Sequence, residues 1–265
     1  MHRISRSLAY AVLSLLLATP LTAQENFEVQ VYGAELVPVG RTIFELHSNY
    51  TAKGSRLSTD GVVPTHHALH ETLEITHGFT DWFELGFYAF AAVPRGGGLE
   101  YVGNHIRPRV SIPARYHWPV GLSLSQEIGY QRRTYSADTW SWEIRPIIDQ
   151  QIGRFYWAVN PTVEVALKGE NAGKGIEFAP NIQVNLDVSK RLNLALEYYG
   201  GLGKLNALLP ASETDQQLIP AINIDFGPDW EFNLGTGIAL TPGTDRLAFK
   251  MIFGRRIGRA PSRAN

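Results

Sequence analysis

Phe178-Ala-Pro-Asn-Ile-Gln-Val-Asn-Leu-Asp-Val188, then Ser189-Lys190-Arg191, then Leu192-Asn-Leu-Ala-Leu-Glu-Tyr-Tyr199 is the stretch that decides the fold. Phe178, Pro180, Ile182, Val184, Leu186 and Val188 alternate with Ala179, Asn181, Gln183, Asn185 and Asp187. After the three polar residues, Leu192, Leu194, Leu196 and Tyr198 alternate with Asn193, Ala195, Glu197 and Tyr199. Side chains switch faces at each residue of a strand, so this is a hairpin with one oily and one polar face. Strands of soluble sandwiches usually run about five to six residues. These run about ten, the length that crosses a bilayer when tilted.

The same pattern recurs outward in both directions. Strands are expected at 41–50, 66–76, 82–90, 105–116, 122–130, 140–149, 155–168, 178–188, 192–199, 217–226, 231–238 and 247–253. The expected fold is therefore all-β, a transmembrane antiparallel β-barrel of about twelve strands, an even number as bacterial barrels have. Short connections after Thr76, Tyr116, Gln150, Val188 and Phe226 are expected as periplasmic turns, and the longer ones as extracellular loops. Two features strain the pattern. Glu71 shares a face with Leu69, Leu73 and Ile75, which places it at the rim or on a bulge. Pro108, Pro146, Pro161, Pro180 and Pro220 fall inside strands, where a missing N–H is expected only at ends or bulges near a rim.

The N-terminus carries an address. Arg3 and Arg6 precede the apolar run Leu8–Ala18, and Thr19-Pro-Leu-Thr-Ala23 supplies small residues for cleavage. Residues 1–23 read as a secretory signal peptide. Residues 24–40 read as a periplasmic lead-in, broken by Pro38 and Gly40; 41–257 as the barrel; 258–265 as a C-terminal tail. No span of about twenty apolar residues follows, so helical crossing is not expected. The 265 residues hold 24 basic and 25 acidic side chains and no cysteine. The balance offers no field for nucleic acid, and the missing thiols suit an exported chain. Together these place the chain in the outer membrane of a Gram-negative cell, with outer-membrane lipid, the barrel-assembly machinery and small solutes as its partners.

Glu71-Thr-Leu-Glu-Ile-Thr-His-Gly-Phe-Thr-Asp-Trp-Phe-Glu-Leu-Gly86, Phe178-Ala-Pro-Asn-Ile182 and Leu196-Glu-Tyr-Tyr-Gly200 resemble a family of outer-membrane barrels. That family is labelled after the meta-cleavage pathway of phenol degradation and described as transporters. The resemblance covers most of the chain after residue 23 and implies uptake of aromatic compounds. It brings no catalytic residues. The chain departs from the usual barrel ending, because Phe253 is followed by Gly254-Arg-Arg256 and a tail.

His66, His67, His70 and His47 invite a metal, but adjacent strand residues point to opposite faces and no cysteine joins them, so no metal or other cofactor is expected. A hydrolase needs a serine, a histidine and an orienting group in reach; no Gly-x-Ser-x-Gly run is present, and no enzyme is expected. The inward charges carry the functional reading. Glu45, Glu74, Glu84, Glu127, Glu143, Asp149, Glu164, Glu177, Asp187, Glu197, Asp225 and Glu231 face Arg107, Arg109, Arg115, Arg145, Lys168 and Lys250. The residues expected to line a pore are Arg107, Arg109, Glu127, Glu143, Arg145, Glu164, Lys168, Asp187, Glu197 and Asp225. Two readings stand: a porin-like channel or transporter for small solutes that prefers cations, or a non-conducting barrel whose lumen is filled by ion pairs.

Overall fold

The computed structural model describes residues 26–258. Twelve long strands make the wall: β1 (Thr42–Lys53), β2 (Leu69–Gly78), β3 (Phe83–Val93), β4 (Glu100–Ser111), β5 (Gly121–Gln131), β6 (Asp138–Ile152), β7 (Phe155–Gly169), β8 (Glu177–Asp187), β9 (Leu192–Gly201), β12 (Asp215–Ile224), β13 (Trp230–Ala239) and β14 (Leu247–Ile257). Two short pieces, β10 (Gly203–Lys204) and β11 (Ala207–Leu208), pair within the loop after β9. Each long strand pairs antiparallel with the next, and β1 pairs with β14, which closes the barrel. Closure satisfies every strand edge, the condition for a sheet to sit in hydrocarbon. None of the described helices is long and apolar enough to cross a membrane.

The opening hairpin is β8–β9, with Val184 opposite Leu196 and Gln183 opposite Glu197. Val184, Leu194 and Leu196 are exposed while Glu197 is buried, so the oily face is outside and the polar face inside. Exposed rings at the short-turn end include Phe79, Trp82, Trp118, Phe155 and Phe226, with Tyr101 and Trp140 near the other end. Aromatic residues at both rims mark the two interfaces of a membrane. A closed barrel with an apolar exterior and charged interior is an integral membrane protein of the outer-membrane type.

The differences from the expected strands have local causes. β4 begins at Glu100 and stops at Ser111, because Pro113 leads into a 3-10 turn over Ala114–Tyr116. The alternation of Ile112, Ala114 and Tyr116 thus continues past the end of the sheet. The strand prolines are not gathered at the rims. Instead the ladder is interrupted on one side of each. The β4–β5 pairing skips Pro108, β6–β7 skips Pro146 and Pro161, β12–β13 skips Pro220, and the β8–β9 ladder starts just past Pro180. A missing N–H removes a bond to one neighbour only, so the other ladder holds through each of these residues. Glu71 points outward near the end of β2 beside the long 54–68 loop, and Ser48 Oγ donates to its carboxylate at 2.7 Å.

Residues 1–23 fall outside the described residues, as do 259–265 of the tail. The segment expected as a periplasmic lead-in runs elsewhere. Phe27, Glu28, Val29, Val31, Tyr32 and Ala34 are buried inside the barrel. A stretch that touches wall on every side has no lipid face to display. Its alternation of Phe27, Val29 and Val31 is that of an extended chain in a filled lumen.

Candidate functional site

The lumen and the segment 26–38 within it form the candidate site. By loop length, the end bearing the turns 79–82, 153–154, 188–191 and 225–229 is periplasmic. The segment starts in the extracellular half, where Asn49 Nδ2 and Thr72 Oγ1 donate to the Phe27 carbonyl at 3.3 and 2.7 Å. It descends past Lys250, whose Nζ donates to the Val29 carbonyl at 3.0 Å, and past Gln183, which donates to the Val31 carbonyl at 3.1 Å. Asn160 then binds both polar groups of Tyr32: Oδ1 accepts its N–H at 2.8 Å and Nδ2 donates to its carbonyl at 3.0 Å. Asp149 accepts the Ala34 N–H at 2.9 Å, and Arg109 donates to the carbonyls of Gly33 and Glu35 at 2.9 and 2.7 Å. The Val37 N–H reaches Glu84 at 2.7 Å, and Gly40 donates to Gly78 at 2.8 Å before β1 begins. Wall side chains thereby supply the partners that a buried, unpaired backbone requires.

Two glycines are fixed by this fit. A Cβ on Gly78 would collide with the Val37 carbonyl, and one on Gly33 with the Tyr156 hydroxyl. The Tyr32 ring is the central anchor. The guanidinium carbons of Arg145, Arg107 and Arg109 lie 4.7, 4.8 and 5.9 Å from its centroid, and its hydroxyl is 3.2 Å from that of Tyr88. Cations over a ring in a water-poor site attract it strongly. Apolar contacts hold the segment on both flanks. Val29 and Val31 pack with Ala158, Ala195, Tyr199, Ile219 and Ala221. Phe27 packs with Tyr88, Phe90, Ala92 and Val102.

The wall charges divide by height. In the periplasmic half, Arg107 donates to Glu74 at 2.6 Å and Arg109 Nε to Glu84 at 2.7 Å. In the extracellular half, four glutamates stand directly opposite one another across neighbouring strands: Glu127 with Glu143, Glu143 with Glu164, and Glu164 with Glu177. Arg145 meets this row at Glu143, 2.8 Å away, and His105 contacts Glu127. Like charges directly opposite repel, so the row favours cations beside it.

Seven of the ten residues expected to line a pore, Arg107, Arg109, Glu127, Glu143, Arg145, Glu164 and Glu197, lie on the inner wall. Glu197 is not a free carboxylate: Lys250 approaches to 2.6 Å and Tyr199 donates to it at 2.5 Å. Asp187 sits at the periplasmic end of β8, bound by Asn193 at 2.9 Å. Asp225 is exposed in the turn after β12, and Lys168 is exposed beside the register shift near the extracellular end of β7. Arg115 pairs with Asp81 between two periplasmic turns, outside the lumen. Sequence reading missed the lumen-filling segment and the registry of the four glutamates. The first had a signal in its alternation; the second needs the pairing offsets, which strand patterns alone do not contain.

No family model matches the chain, including the phenol-pathway barrels that its motifs resemble, and no curated protein matches it. Solved structures do. The KdgM porin, solved in complex with disordered oligogalacturonate, is 9% identical over 82% of this chain and 99% of its own, with TM-score 0.50. The NanC porin is 7% identical over the same shares, with TM-score 0.54. At these identities the likeness is one of fold: this chain has the architecture of porin-type outer-membrane barrels.

Proposed function

We propose that the chain is an outer-membrane channel for small polar solutes, that it prefers cations, and that residues 26–35 close it at rest. The observation that carries this reading is the row Glu127–Glu143–Glu164–Glu177 on one wall of the extracellular half. Carboxylates arrayed around a confined aqueous path raise the local cation concentration. A barrel filled purely for stability would gain nothing from four acids in register, because like charges directly opposite repel and Arg145 and His105 engage only Glu143 and Glu127. The segment is held by side chains and has no ladder partner, so its release leaves the wall intact.

A second solute class has one observation in its favour. Tyr88, Phe90 and Val102 form an apolar patch that Phe27 covers. Released, the segment would bare these rings, which suits the small aromatic compounds implied by the family resemblance.

Reversal potentials in a planar bilayer under a salt gradient test the proposal, using Tyr32→Ala to favour the open state. A potential of the sign for potassium over chloride is expected. Glu143→Gln combined with Glu164→Gln should move it toward zero. Anion preference in the parent, or no change in the double variant, would contradict the assignment. Absence of current in every variant would favour the ion-paired, non-conducting barrel.

A further inference from the structure

We propose that Glu45, His47 and Glu74 form a binding site for one first-row divalent cation, of the Zn2+ class, on the inner wall between β1 and β2. Glu45 and Glu74 stand opposite each other across the two strands, and His47 is two residues along on the same face. Their ligand atoms all lie within 4.8 Å of one another. His47 Nε2 and Glu74 Oε2 are 3.5 Å apart. Two donors bound at about 2.0–2.1 Å to a tetrahedral ion are separated by about 3.3–3.4 Å, so this pair needs little movement to share one.

An independent observation points into the same space. The His47 side chain is fully buried, and neither ring nitrogen has a hydrogen-bond partner. Glu45 Oε1 and Glu74 Oε2 also lack one. Leaving several buried polar atoms unbonded is costly, and such a group calls for an unseen water or ion. The other half of Glu74 is fixed: Arg107 donates to Oε1 at 2.6 Å and Thr76 Oγ1 at 2.7 Å. Outer-shell bonds of this kind aim a metal ligand. Gly254, paired with Glu45 on β14, leaves room for that side chain, since a Cβ there would lie 2.9 Å from Glu45 Cγ.

Local charge agrees. Arg107 and Arg109 engage Glu74 and Glu84, whereas Glu45 makes no ion pair among the described residues. A divalent ion would offset the remaining carboxylate, and three protein donors leave a fourth position for water. Imidazole with carboxylates suits Zn2+ among first-row ions, and Co2+ can replace it as a coloured probe. The site lies in the periplasmic half and requires no conduction.

The test uses the tag-free mature protein, folded in detergent and dialysed against Zn2+. One zinc per chain by elemental analysis is expected, and Co2+ should give the visible absorption of a tetrahedral site. His47→Gln should lower the affinity at least about tenfold, as loss of even an outer-shell partner does. Glu45→Gln, which preserves volume, serves as the second variant, with folding verified by gel mobility before and after heating. No zinc in the folded parent would overturn the proposal. So would equal zinc in the folded parent and variants, which would place the ion elsewhere, such as at His66 and His67 in the extracellular loop.

Discussion

Replacing Asn160 by Ala should loosen the segment that fills the lumen without touching lipid-facing or charged residues. Asn160 is completely buried, and its amide makes both hydrogen bonds to the Tyr32 backbone, at 2.8 and 3.0 Å. The substitution strands one buried N–H and one buried carbonyl. Each such group costs about 1–3 kcal/mol, giving about 2–6 kcal/mol in all. Water entering the vacated space brings the cost toward the lower end. A loss of about 2 kcal/mol corresponds to a shift of about 30-fold, since 1.4 kcal/mol is tenfold. Single-channel recording at low voltage should therefore show the open fraction rising at least about 30-fold. Asn160→Asp keeps the acceptor and loses the donor, so it should fall between parent and Ala. A correctly folded Asn160→Ala barrel with an unchanged open fraction would refute the idea that these bonds hold the lumen closed.

Two further outcomes test other parts of the account. Val184 is exposed to lipid, whereas Gln183 on the adjacent position bonds the inner segment. Val184→Arg should cost about 2–4 kcal/mol near the midplane in lipid-based unfolding, and Asn185→Arg much less; equal costs would argue against the assigned faces. At the extracellular mouth, burial raises the pKa of Asp245, while Thr65 Oγ1 and the Ser55 N–H bond its carboxylate at 2.7 and 3.2 Å. The two donors favour the carboxylate, but burial outweighs them. The folded state therefore binds the proton more readily than an unfolded Asp of pKa about 3.9, so the net contribution of Asp245 to the closed loop is greatest at low pH and falls as pH rises above about 4. Hydrogen-exchange protection of the Ser55 amide, corrected for intrinsic rate, should fall with pH in the parent and lose that dependence in Asp245→Asn; protection that rises with pH would contradict the sign.

The wall was legible because lipid imposes one rule on every strand: alternate residues must be apolar. Val184, Leu194 and Leu196 obey it, and so do Phe87 and Ile106 on β3 and β4. The rule ceases to inform where lipid does not reach. Ile112 and Ala114 keep the alternation after β4 has ended in a turn, so the strand boundary was misplaced. Phe27, Val29 and Val31 alternate as a wall strand would, yet they pack on Tyr88, Ala158 and Tyr199 inside. Seven of the ten expected pore residues do lie on the inner wall, but Asp187, Asp225 and Lys168 sit at strand ends or turns, and the partners of the inward ones depend on register. Glu197 was expected to line a pore and is neutralised by Lys250, fifty-three positions away. His47 and Glu74 meet only because β1 and β2 pair with Glu45 opposite Glu74.

Single-channel conductance of the chain from residue 24 onward, beside a chain lacking residues 24–35, both in planar bilayers at the same voltage, distinguishes a lumen closed by the inner segment from one that is not. A predominantly silent parent with brief openings is expected, and sustained current steps from the shortened chain. Identical conductance from the two, with both barrels folded, would contradict it.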